Sequence, residues 1–190
     1  MELAYDPIRK LMDEHQVFLS RVESARQLCR QGLRSPRRSA ELARNVLSFA
    51  DFLGRDVDGL HEAKEERVLF PLLVHHLPEH EGEVSAVLTE HEVVRELHLT
   101  LEKSGEALLH DIGDEKACGK ISRTLNAIEA LLSEHIVKED FVLFPLAQEL
   151  LSRREMMEVA QACLEIEQSY RERYGQNPHL LSTGVPLSVA

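Results

Sequence analysis

The sequence lacks the features that mark several large classes of protein. It has no tryptophan, and no apolar run approaches the roughly 18 residues that a membrane-spanning helix needs. Alternating runs of Val, Ile, Thr and Tyr are missing, so the composition favours helices over sheets. No apolar segment follows the opening MELAYDPIRK, so no secretory signal peptide is expected. These absences predict an all-α protein of the cytoplasm with no membrane partner.

Positive charge is also in short supply. The chain carries 22 basic and 33 acidic residues, and its formal net charge of −11 argues against a nucleic acid or an anionic membrane as partner. A short basic cluster at Arg34, Arg37 and Arg38 is interpreted as a solvated loop.

Cysteine is sparse and forms no recognisable framework. Cys29, Cys118 and Cys163 are far apart and form no CxxC pair, so we expect reduced thiols that pack between helices. The sequence also lacks a Ser/His/Asp nucleophile pattern, a phosphate-binding loop and a dinucleotide fingerprint.

What the sequence does contain is a repeated motif. One copy reads HEAKEERVLFPL from His61, and the other reads HIVKEDFVLFPL from His135, with eight of the twelve positions identical. Each copy has a glutamate four residues after its histidine, Glu65 in one and Glu139 in the other. This spacing places the two side chains on one face of a helix, one turn apart.

The repeat extends upstream to a single histidine in each half. The segment DEHQV contains His15, and the segment TEHEV contains His91, each on an apolar stripe with helical spacing. The chain therefore reads as two helical hairpins, each with one single-histidine helix and one HxxxE helix. Two paired hairpins predict an antiparallel, up-down four-helix bundle.

The bundle is predicted to occupy residues 1–150. An additional amphipathic C-terminal helix is predicted over 151–174, where it either packs on the bundle or forms a homodimer interface, and an irregular tail over 175–190. Pro71 and Pro145, near the ends of the two motif copies, are expected to kink or end the regular helices.

The predicted bundle would carry four histidines and two glutamates toward its interior. Burying an unpartnered carboxylate costs several kcal/mol or neutralises the group. A dinuclear metal centre removes this difficulty, because imidazole and carboxylate together suit iron, zinc and manganese, and a carboxylate can bridge two ions. We favour iron, with zinc and manganese as the alternatives.

The doubled HxxxE motif, followed by E or D and then by LFP, resembles the hemerythrin-like (HHE cation-binding) domain over roughly residues 6–150. The resemblance implies a non-haem di-iron centre with a bridging oxo or hydroxo group. It also implies that Glu65 and Glu139 bridge the two irons. The terminal ligands that it implies are His15, His61, His91 and His135.

The chain departs from the family pattern at one position. Hemerythrins that carry oxygen have a further histidine one turn after the single histidine of the third helix, and Arg95 stands there in this chain. Glu62 is a candidate replacement ligand, with a surface glutamate as the alternative interpretation. His98 either contacts a metal ligand or binds metal itself, or it is a histidine that only packs in the core. Lys64 and Lys138, which match in the repeat, are interpreted as surface residues.

The ligand set favours some functions over others. With more carboxylate than an oxygen carrier has, we expect a protein that binds or senses O₂, NO or peroxide, or that handles iron under oxidative or nitrosative stress. One alternative is a di-iron enzyme that reduces peroxide or repairs iron–sulfur clusters. Another is a metal-free helical interaction module, which would leave the His/Glu repeat without a purpose.

Overall fold

The computed structural model describes residues 5–32 and 36–175, and every regular element in these ranges is helical. The all-α prediction is therefore confirmed. Among the helices of these ranges, none combines the length and the hydropathy of a membrane-spanning segment. The α-helices of the described residues are α1 (Pro7–Gly32), α2 (Pro36–Phe52), α3 (Phe70–His76), α4 (Glu81–His110), α5 (Glu115–Lys138), α6 (Phe144–Leu150) and α7 (Arg153–Tyr174).

Three π-helical segments join some of these helices into longer rods. The segments are π1 (Leu53–Glu62), π2 (Glu65–Leu69) and π3 (Glu139–Leu143). With them, residues 36–76 form one continuous helical rod and residues 115–150 form another.

Four rods build an up-down bundle, as predicted. The first is α1, the second is the rod 36–76, the third is α4 and the fourth is the rod 115–150. Each rod packs against its neighbour along the chain, and the fourth returns to pack against α1. Short connections between the second and third rods and between the third and fourth rods force these neighbours to run antiparallel.

The bundle core consists of two apolar clusters. One cluster contains Phe18 of α1 and Leu60 of π1, and the other contains Leu11 of α1 and Leu69 of π2. Burying a side chain of this size contributes roughly 1.5–3 kcal/mol. Along each of these rods about two helical turns separate the named residues of the two clusters. His15 lies in this gap on α1, and His61 lies in it on the second rod.

Two of the π segments, π2 and π3, begin at the motif glutamates. In π2 the backbone N–H of Phe70 donates to the carbonyl of Glu65, five residues earlier. Pro71 follows directly, in the first turn of α3. The second motif copy repeats this arrangement in π3, with Pro145 in the first turn of α6. The regular α-helix is thus interrupted before each proline, and π turns of this kind often mark functional sites.

The C-terminal helix α7 packs on the bundle, against α1, π1 and π2. It ends at Gly175, whose φ of 90° is a left-handed conformation that favours glycine. The tail predicted from 175 onward lies outside the described residues beyond this glycine, and so does Arg34 of the basic cluster. Arg37 and Arg38 belong to the first turn of α2 rather than to a loop, because Pro36 starts the helix there.

A capping box fixes the start of α7. The hydroxyl of Ser152 accepts from the backbone N–H of Glu155, and the Glu155 carboxylate accepts from the backbone N–H of Ser152. We expect Ser152→Ala to lower the free energy of unfolding by about 1 kcal/mol, measured by urea denaturation. Ser85→Ala, in the exposed interior of α4, is the control and should be neutral or slightly stabilising. Equal effects of the two substitutions would contradict a capping role.

Candidate metal centre

One layer of the bundle collects the six predicted ligands. His15 comes from α1, His61 from π1, His91 from α4 and His135 from α5. Glu65 is the first residue of π2, and Glu139 is the first residue of π3. All six residues are buried, and none is more than 4% exposed. The structure therefore brings together the residues that the repeat singles out.

The first candidate ion site lies between the first and second rods. His15 Nε2 is 3.1 Å from Glu139 Oε2, and His61 Nε2 is 3.3 Å from Glu65 Oε1. The two Nε2 atoms are 3.0 Å apart. One ligand atom from each of these four residues lies within 4.8 Å of the others, close enough to share one ion.

The second candidate ion site lies between the third and fourth rods. His135 Nε2 is 3.2 Å from Glu139 Oε2. His91 Nε2 is 3.6 Å from Glu65 Oε2 and 3.9 Å from Glu139 Oε1. Glu139 therefore belongs to both sites. Glu65 directs Oε1 toward His61 of the first site and Oε2 toward His91 of the second.

The outer nitrogen of each histidine also faces a carboxylate. His15 Nδ1 lies 2.8 Å from Asp140, and His91 Nδ1 lies 2.8 Å from Glu66. Asp140 and Glu66 are the acidic residues that directly follow the two motif glutamates. Carboxylates in this position orient a histidine and make it a stronger ligand.

Matching carboxylates serve the other two histidines. His61 Nδ1 lies 2.8 Å from Glu14, and His135 Nδ1 lies 3.1 Å from Glu90. Glu14 and Glu90 are the residues that precede the two single histidines. The patterns in the sequence do not assign a role to these four carboxylates, although the acidic residue beside each ligand recurs in both halves of the repeat.

This arrangement fixes what the inner nitrogens can do. When Nδ1 donates a proton to an outer carboxylate, the neutral ring carries a lone pair on Nε2. Four such lone pairs then face the oxygens of Glu65 and Glu139, so acceptors face acceptors. Within the described part of the chain, both oxygens of each glutamate and Nε2 of His91 are buried without a well-aligned hydrogen bond. Metal ions resolve this conflict, and the donor set fits them.

Without metal, protons occupy these positions. Burial alone would lower the pKa of His61, but the charge of Glu65 and the hydrogen bond with Glu14 outweigh it and raise the pKa to about 10. The pKa values of His15, His91 and His135 are raised for the same kind of reason. Burial would raise the pKa of Glu139, but the neighbouring imidazoles hold it below its ordinary value. Metal binding must therefore displace protons.

The interpretation of Lys64 as a surface residue is wrong. Its side chain is fully buried, and Nζ lies 2.6 Å from Glu14 and 3.2 Å from Glu167. Since α7 packs over this part of the second rod, the lysine is covered. Lys138, its counterpart in the repeat, pairs with Glu90 and is 43% exposed.

Glu62 and Arg95 lie beside the second candidate site. Glu62 is buried and accepts a hydrogen bond from Arg95 at 2.9 Å. It faces the outer nitrogen of His91, with 4.0 Å between Nδ1 and the carboxylate. Arg95 also pairs with Glu66 at 2.6 Å. At the position of the missing histidine, the arginine therefore neutralises carboxylates around His91, and a ligand role for Glu62 stays a prediction.

His98 packs against a glycine. A Cβ added to Gly54 would lie 2.7 Å from Cε1 of His98, so the ring rests directly on the backbone of π1. The candidate ion sites of the described residues do not include His98.

Aromatic and aliphatic side chains close the layer. Phe144 stacks on His15 with 5.6 Å between ring centroids, and Phe70 stacks on His91 at 6.4 Å. On each rod a buried apolar residue lies one helical turn from a predicted ligand: Leu11, Leu69, Val94 and Leu143. Such a lining keeps bulk water away and strengthens electrostatic interactions inside.

The comparisons with known proteins give one finding for this region. A family model described as the hemerythrin HHE cation-binding domain matches residues 6–147. The match covers the first three rods, the fourth rod as far as residue 147 and all six predicted ligands, and α7 lies beyond it. No curated protein and no solved structure matches the chain with significant similarity.

Proposed function

The chain belongs to the hemerythrin HHE cation-binding family, and we propose that its buried His/Glu layer holds two iron ions that bind or sense O₂, NO or peroxide. The observation that carries the proposal is the orientation of the imidazoles. Four buried Nε2 atoms converge on two buried carboxylates, while each Nδ1 is held by an outer carboxylate. This is a rigid, oriented donor set for metal ions.

The two ions would have similar protein ligands. His15 and His61 would hold one ion, and His91 and His135 would hold the other. Glu65 and Glu139 would serve both, because each reaches both histidine pairs. The extra carboxylates around the layer favour iron, for which imidazole and carboxylate are common ligands.

Bound iron would supply the affinity for small oxygen and nitrogen ligands. Two imidazoles with carboxylate oxygens are the donor type of non-haem iron sites that keep a position open. The chain's own residues would set the environment: the apolar lining limits access, and Arg95 offsets the charge of Glu62 and Glu66. Sensing or a stress response fits this carboxylate-rich setting better than oxygen transport.

The compartment is part of the same proposal. The three cysteines, Cys29, Cys118 and Cys163, are buried and unpaired. Free thiols of this kind are typical of reducing compartments, so we propose that the protein works in the cytoplasm.

A pair of absorption spectra tests the ligand chemistry. Iron-loaded protein, prepared without oxygen, should change its absorption when NO or O₂ is added, because the ligand alters the iron's electronic state. The same additions to metal-free protein are the control. An iron-loaded protein whose spectrum responds to neither gas nor to peroxide would overturn the proposed ligand class.

Glu14 and His61 should both contribute fully to the stability of the metal-free protein only between about pH 4.5 and pH 6.5. Burial alone would raise the pKa of Glu14, but Lys64 and His61 lower it from 4.5 to about 2. The contribution of Glu14 to stability is therefore lost as the pH falls from about 4.5 toward 2. The pKa of His61 is raised from 6.5 to about 10, so its contribution is lost as the pH rises.

Metal should reverse the second trend. The bound imidazoles must be neutral, so metal affinity increases as the pH rises. Between about pH 6.5 and pH 9 the melting temperature should fall for the chelator-treated protein and fall less, or rise, for the metal-loaded protein. Parallel melting curves across this interval would show that protons and metal do not compete for these residues.

A further inference from the structure

The two halves of the repeat differ at their lysines. In the second half, Lys138 pairs with Glu90, and its side chain is partly exposed to solvent. In the first half, Lys64 pairs with Glu14 and continues to Glu167 of α7, which is 2% exposed. The helix that follows the family match therefore contributes a buried charge to the first half alone.

A continuous set of contacts leads from α7 to a proposed ligand. Lys64 Nζ is 3.2 Å from Glu167 Oε1 and 2.6 Å from Glu14 Oε1. The other oxygen of Glu14 lies 2.8 Å from Nδ1 of His61. Because each oxygen of Glu14 has its own partner, the lysine fixes the rotation of the carboxylate, and the carboxylate fixes the imidazole ring.

Glu167 is itself held in place. It accepts a hydrogen bond from the hydroxyl of Tyr5 at 2.9 Å and one from Arg171 at 3.2 Å. The lysine thus lies between two buried, oriented carboxylates. His135, by contrast, depends on Glu90, whose side chain is 18% exposed, and on the half-exposed Lys138.

We propose that Glu167 is a positioning residue for the ion site of His15 and His61, acting through Lys64 and Glu14. α7 then makes the two ion sites of a symmetric repeat unequal, and the site of His61 binds metal more tightly. The inference rests on the proposed metal function. A carboxylate that holds a ligating histidine directly, as Glu14 holds His61, changes metal affinity by about 10- to 100-fold when it is removed, and Glu167 acts further out, so the lower end of this range is expected.

Stepwise titration of the full chain with Fe(II), without oxygen and in competition with a chromophoric chelator, tests the proposal. Glu167→Gln keeps the shape of the side chain and removes its charge. We expect it to weaken the tighter of the two binding steps by about tenfold and to leave the weaker step unchanged. The matched control is Glu165→Gln, an exposed position on the same helix, which should change neither step.

Single-site backgrounds separate positioning from general damage. Glu167→Gln should weaken Fe(II) binding in a His135→Ala background and leave it unchanged in a His61→Ala background. Equal weakening in both backgrounds, with a lower melting temperature of the metal-free protein, would show a merely structural role and overturn the proposal. Unchanged binding in the full chain would overturn it as well. A wild-type protein that binds no Fe(II) would instead overturn the proposed metal function.

Discussion

Replacing Glu139 with glutamine should empty both ion sites at once. We expect the iron content to fall from about two ions per chain to well below one, with at least a 100-fold loss of affinity. Metal analysis after equal iron loading measures the loss. Circular dichroism of the same samples verifies that the helices remain.

The reason is the position of this carboxylate. Glu139 is fully buried and lies within 3.1–3.9 Å of Nε2 atoms from His15, His91 and His135. An amide keeps the volume but loses the charge, so it can neither bridge two cations nor offset their charge in a dry interior. Loss of this single side chain therefore affects the ligands of both ions.

Two further substitutions make this result interpretable. Glu65→Gln should cause a similar loss, because Glu65 faces His61 and His91 in the same way. Glu149→Gln lies on the same rod as Glu139 but is exposed, so it should retain the iron content of the wild type. A Glu139→Gln protein that still held two irons would show that the metal lies elsewhere.

Replacing Lys64 with methionine should be the most damaging of the lysine substitutions. The change leaves the carboxylates of Glu14 and Glu167 buried without their shared cation. Breaking a buried ion pair in this way costs about 3–5 kcal/mol. Urea denaturation of the metal-free protein measures the expected drop in the free energy of unfolding.

The repeat provides a matched control for this substitution. Lys138→Met removes the corresponding lysine of the second half, which is 43% exposed and pairs with the partly exposed Glu90. Exposed ion pairs contribute about 0–1 kcal/mol, so the loss should be small. If the two substitutions lowered the free energy of unfolding equally, burial of Lys64 under α7 would not strengthen its ion pairs, which would contradict the expectation.

Much of the fold could be predicted from the sequence because the signals are strong and local. Apolar residues recur at helical spacing, and proline or glycine punctuates the ends of the helices. The internal repeat also places His15 with His91, and His61 with His135, in equivalent positions. A layer that contains all of them follows once the hairpins pair.

The surroundings of the layer could not be predicted in the same way. Regular α-helical spacing places Lys64 on a different face from Glu65. It does not predict that π1 ends and π2 begins on either side of this lysine, or that α7 packs over it. Glu14 and Asp140 look like ordinary acidic surface residues in the sequence. Their contacts with His61 and His15 depend on which rods become neighbours, which only the packed bundle determines.

The iron content of the purified wild-type protein is the most direct test of a dinuclear centre in this layer. Protein expressed aerobically with added iron should contain about two irons per chain, and His61→Ala and His135→Ala should each lower that number. A wild-type protein that contains no iron under these conditions, and whose melting temperature is unchanged or raised by either histidine substitution, would contradict a di-iron centre.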